Sequence, residues 1–116
     1  MAGEHRRDRR IAVDALERAV SYAAGNYEAD VRSVAVGAVP LLKLFGIVAA
    51  GWQLLRSALI AQRRLDAPQQ ATLPAAFYEA KIATARFYAD HVLAQAPGLA
   101  HTIVQGAAGA LADGVL

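Results

Sequence analysis

The chain has 116 residues, 56% of them hydrophobic, with no cysteine and a formal charge of +2 at pH 7. That length allows one domain with its own core, the absence of thiols excludes disulfides and Cys-based zinc sites, and a near-neutral body argues against a nucleic-acid binder. Alanine dominates the apolar fraction and β-branched residues do not alternate, so the chain reads as all-α.

Positive charge gathers in the head, at His5, Arg6, Arg7, Arg9 and Arg10, interrupted by Glu4 and Asp8. Residues 1–8 read as a disordered basic head ahead of a single helical bundle over 9–116. The segment after Arg10 is amphipathic, unlike the uniformly apolar core of a signal peptide, so a cytoplasmic protein is expected. The first helix should run from about Arg9 to Ala24, with Ala12, Leu16, Ala19, Val20 and Ala23 inward and Asp14, Glu17, Arg18 and Ser21 outward. Gly25-Asn26 marks its end.

A second helical run begins near Glu28 and meets Pro40, where the chain either kinks or breaks. A long, Pro-kinked central helix from Glu28 to about Leu65 is the preferred reading. On a helical wheel Leu41, Leu44, Phe45, Val48, Trp52, Leu55 and Leu59 share one bulky face, while Gly46, Ala50, Ser57 and Ala61 line a small-residue face. Such a helix is expected to be enclosed on both sides, with Gly46 and Gly51 as packing glycines, and Gly46→Leu is expected to overpack it. Its apolar length raises the question of a membrane span. Lys43, Pro40 and the glycines within it, and Gln53 and Arg56 at its end, argue instead for a buried helix.

Asp66 to Pro74 carries two prolines and reads as the main loop, joining antiparallel neighbours. Thr72 is the expected cap of the third helix, with Pro74 in its first turn. Tyr78, Ile82, Ala85, Ala89, Val92 and Ala96 form its inward stripe, and Glu79, Arg86 and Asp90 its outer face. Pro97-Gly98 is expected to break the chain before a last, glycine-weakened helix from Leu99 to about Leu111, with Ile103, Ala107 and Ala110 inward. The sum is an antiparallel bundle of about four helices.

No strand precedes any glycine-rich loop, and His5, His91 and His101 are too scattered for a metal site, so no residue receives a catalytic, metal or cofactor role. Lys43, inside the central apolar run, and Lys81, flanking the inward stripe, are candidate buried charges that would need partners such as Glu17, Glu28, Asp30 or Glu79. Phe45, Trp52, Phe77, Phe87 and Tyr88 are candidate core or interface anchors.

Two segments stand out together: Val39-Pro-Leu-Leu-Lys-Leu-Phe-Gly46 with Gly51-Trp52, and Phe77-Tyr-Glu-Ala-Lys-Ile-Ala-Thr-Ala-Arg-Phe-Tyr88. In this order and spacing, the chain from about Ile11 to Leu111 resembles the extra C-terminal domain of a bacterial branch of acyl-CoA dehydrogenases. The resemblance implies a non-catalytic accessory or oligomerisation domain of FAD-dependent enzymes that introduce a C2–C3 double bond into acyl-CoA thioesters in fatty acid metabolism. The catalytic base and the FAD contacts would lie in another part of such a protein, leaving no cofactor in this chain, and the catalytic body is a candidate partner. The chain is either a fragment of such an enzyme or a free-standing homologue. An alternative is a helical module holding an acyl chain or other apolar ligand among Phe45, Val48, Trp52 and Tyr88. The apolar surplus also predicts a two-fold homodimer, with Phe87, about 180° from its inward stripe, as the first interface candidate.

Overall fold

The computed structural model describes the backbone of residues 2–107 and 109, and side chains from Arg6 onward. Its elements are α1 (Ala2–Asn26), α2 (Val31–Val36), α3 (Ala38–Asp66), α4 (Ala75–His91) and α5 (Ala96–Gln105), with short 3-10 turns at Pro68–Gln70 and Leu93–Gln95. The described residues contain no strand, and the all-α bundle is as expected. The backbone is helical from Ala2, so residues 2–8 belong to α1 instead of standing apart as a head. The side chain of His5, Ala110 and the expected end of the last helix at Leu111 lie outside the described residues.

The prolines explain where the elements begin. The first four amides of an α-helix have no intrahelical partner, so a proline there forfeits no bond. Pro40 is the third residue of α3 and Pro97 the second of α5, while Pro68 opens a 3-10 turn and Pro74 is the N-cap of α4. Two expectations change accordingly. The central run does not kink at Pro40 but breaks ahead of it, at Gly37 between α2 and α3. Likewise Pro97-Gly98 is no break: the interruption falls at Val92–Gln95, and Pro97 helps start α5.

Side chains fasten the corners. Asp30 caps α2 by accepting from the Ser33 amide at 3.2 Å. The buried Ser33 hydroxyl is paired with the Tyr22 hydroxyl on α1, and Asn26 Nδ2 donates to the Tyr22 carbonyl at 2.8 Å. Thr72 does not cap α4, which has no side-chain cap. Instead the Tyr78 hydroxyl reaches back and accepts from the amides of Thr72 and Leu73, both at 3.3 Å, closing the loop from within α4.

The main core packs alanines of α1 and α5 against larger aliphatic side chains. Ala12, Ala15 and Ala19 of α1 meet Leu44, Ile47 and Val48 of α3 and Ala96, Ala100 and Ile103 of α5, with Leu93 joining them. Alanine contacts let helix axes approach at the short end of the usual 8–10 Å. Leu44 is the largest fully buried side chain. The stripe of α1 is centred on its alanines, so Val20, expected inside, is exposed. Gly37, ahead of α3, faces Ile103 near the end of α5, whereas Gly51 faces Leu93 just before α5, so α5 runs antiparallel to the first half of α3.

The second half of α3 packs against α4. Its buried Leu55, Ala58 and Ala61 lie opposite α4, whose own buried side is Tyr78, Ala85 and Ala89. Tyr88, late in α4, donates to the Ile47 carbonyl at 2.6 Å, and Arg64, late in α3, donates to the Gln70 carbonyl at 2.8 Å ahead of α4. The two helices are therefore antiparallel. The molecule measures 65 × 24 × 21 Å, with a radius of gyration of 18.4 Å, against about 13 Å for a compact chain of this length.

Candidate functional site

A helix partnered along one side buries one side. In α3 the buried positions are Leu44, Ile47, Val48, Gly51, Leu55, Ala58 and Ala61. The helix is not enclosed on both faces, because Gly46, Ala50 and Ser57 face outward and nothing lies within 4 Å of where a Gly46 side chain would start. The glycine at a close approach is Gly51, where a Cβ would meet Leu93 Cδ1 at 2.9 Å and Tyr88 Cε1 at 3.3 Å. The overpacking expected at Gly46 therefore belongs at Gly51.

The aromatic anchors divide in the same way. Phe45 is 58% exposed, Trp52 48% and Phe87 63%, and Phe77 is also exposed. None of these four is core within the chain. Tyr88 alone turns inward, half-buried against the core with its hydroxyl bonded to Ile47. Burial raises its pKa, since the phenolate would lose solvent that the neutral ring does not need. Tyr78 moves the other way. Burial raises its pKa, but this is outweighed by the Thr72 side chain, the amides of Thr72 and Leu73 and the charge of Arg64, which lower it overall.

The outward rings carry polar companions. The Arg56 guanidinium sits 5.6 Å from the Trp52 ring centre, Lys81 Nζ sits 5.3 Å from that of Phe77, and Phe87 stacks on His91 at 4.3 Å. Lys43 and Lys81 are exposed, correcting their reading as buried charges: each stands at the edge of the buried stripe of its helix, where water solvates the ammonium. Among the described residues no three His, Cys, Asp or Glu side chains group to hold a metal ion. An interior acyl site of Phe45, Val48, Trp52 and Tyr88 is not assembled, because Val48 is packed in the core while Phe45 and Trp52 point out of it. A surface groove between α1 and the start of α5 is lined by other residues, Ile11, Asp14, Ala15, Arg18 and Pro97.

What the arrangement offers is an apolar outer surface. On α3 it includes Val39, Leu42, Phe45, Trp52, Leu59 and Ile60. By length and composition α3 is apolar enough to cross a membrane, and only 28% of its most apolar stretch is buried. Monomeric soluble proteins rarely leave such contiguous surface bare, and it commonly marks a contact site. Periodicity identified these side chains as apolar but placed Phe45 and Trp52 with Leu44 and Leu55. Only the positions of α1, α4 and α5 separate the two sets.

No curated protein and no solved structure matches the chain. The family described as "Acetyl-CoA dehydrogenase C-terminal like" matches residues 2–112, nearly the whole length, in agreement with the resemblance carried by the Val39–Gly46 and Phe77–Tyr88 segments. The chain belongs to that family of acyl-CoA dehydrogenase C-terminal-like domains.

Proposed function

We propose that this chain is a non-catalytic helical accessory domain of an acyl-CoA dehydrogenase assembly, acting through protein contacts made by the outer faces of α3 and α4. The observation that carries this reading is the exposure of Phe45, Trp52 and Phe87 on well-formed helices. Aromatic rings supply large contact area at low entropic cost and recur as interface anchors. In this reading flavin binding and C2–C3 dehydrogenation of the acyl-CoA thioester belong to another part of the assembly, and the domain contributes association, including association with copies of itself. The test is direct: the purified chain, incubated with FAD and acyl-CoA and then gel-filtered, is expected to show no bound-flavin absorbance and no acyl-CoA oxidation. A yellow, flavin-bearing chain would refute the proposal.

A further inference from the structure

The exposed residues of α3 fall into a regular series. Leu42, Phe45, Ala49, Trp52, Arg56 and Leu59 succeed one another at alternating steps of three and four, and all are exposed. That is the spacing of a coiled-coil seam. The opposite side of the helix is already filled by α1, α4 and α5. So α3 has one filled seam and one open seam. We infer that the open seam is filled by α3 of a second copy of this chain, lying antiparallel across a two-fold axis near Ala50. This names the partner for the association surface proposed above and rests on that reading.

The series is complementary to its own reverse. With the axis near Ala50, Trp52 faces Ala49 of the second copy, Leu42 faces Leu59, and Phe45 faces Arg56. Large side chains meet small ones, apolar meets apolar, and a guanidinium meets an aromatic face. Arg56 already lies against the Trp52 ring, so its charge is held on this surface. No Asp or Glu occurs between Asp30 and Asp66, so α3 offers its cations no carboxylate before its last residue. A parallel pairing would therefore set Arg56 against Arg56 with no carboxylate of either α3 helix between them. The antiparallel pairing separates them. An arginine within the stripe also opposes its burial in lipid hydrocarbon.

The seam from Leu42 to Leu59 spans about 26 Å, short for a stable interface, so self-association is expected at micromolar concentration. Analytical ultracentrifugation of the full chain should give a dimer. Trp52→Glu should weaken it at least tenfold with helical circular dichroism unchanged, whereas Phe87→Glu, off the seam, should leave it intact. Because the chain has no cysteine, single cysteines report the register. Leu42→Cys and Leu59→Cys, oxidised together, should form a covalent mixed dimer. Either alone should not, since its two copies would lie about 26 Å apart along the axis, beyond disulfide reach. A dimer that survives Trp52→Glu, or Leu42→Cys crosslinking with itself, overturns the seam and leaves association standing. A monomeric parent overturns both, and one that pellets with phosphatidylglycerol vesicles assigns the face to a lipid surface.

Discussion

Two glycines five residues apart on α3 permit a controlled test of the packing. Replacing glycine by alanine in a helix interior contributes about 1 kcal/mol from backbone entropy alone, whatever the surroundings. At Gly46 nothing lies within 4 Å of the added methyl, so Gly46→Ala should stabilise by about that amount. At Gly51 the methyl would start 2.9 Å from Leu93 Cδ1 and 3.3 Å from Tyr88 Cε1. Leu93 is in the main core and Tyr88 is tied to the Ile47 carbonyl, so neither swings freely away. Overpacking of this kind costs about 1–3 kcal/mol. Gly51→Ala should therefore range from neutral to about 2 kcal/mol destabilising. Propensity cancels in the comparison, and the pair should differ by about 1–3 kcal/mol. Urea unfolding monitored by circular dichroism, at one fixed protein concentration because association shifts apparent stability, measures this directly. Adding Leu93→Ala to Gly51→Ala makes room for the methyl, so the pair should show favourable coupling in a double-mutant cycle. If Gly51→Ala stabilises as much as Gly46→Ala, the close approach of α3 to Leu93 is refuted.

Leu44→Ala should cost about 2–5 kcal/mol, because Leu44 is the largest fully buried side chain in a core otherwise rich in alanine, and a midpoint shift in the same urea assay checks it. Ultraviolet titration of the tyrosinates should show Tyr78 ionising below the ordinary value of 10.0 and Tyr88 above it; Tyr78→Phe should remove an early component and Tyr88→Phe a late one. The linkage signs are opposite. With its folded pKa raised, Tyr88 contributes stability that is complete below its unfolded pKa and lost as pH rises through the folded value, whereas the lowered pKa of Tyr78 contributes stability present above its unfolded pKa and lost as pH falls through the folded value. Tyr88→Phe should therefore reduce the alkaline loss of stability, and an unchanged alkaline slope would refute the assignment.

Much of the architecture stems from local chemistry. Alanine-rich runs with 3.6-residue periodicity make helices wherever they pack, so the all-α class, the Asp66–Pro74 loop and the antiparallel pairing of its flanking helices are legible from residues alone. The prolines are harder to read, because a missing amide breaks a helix interior yet costs nothing in a first turn. Pro40 and Pro97 both lie in first turns, and the actual interruptions, Gly37 and Val92–Gln95, come just before them. Thr72 likewise has the chemistry of a cap, but its amide instead donates to Tyr78.

The order of amino acids is enough to say which residues are apolar and that they recur at helical spacing, and the Val39–Gly46 and Phe77–Tyr88 segments carry the family. It is not enough to say which apolar residues are core. Leu44 and Phe45 are neighbours on one broad face of α3, yet one is fully buried and the other 58% exposed. The wheel records the direction of a side chain about its own helix axis, whereas burial depends on whether another backbone lies in that direction. For α3 the outcome rests on the placement of α1, α4 and α5, which cover one side of the helix and leave Phe45 and Trp52 at the surface.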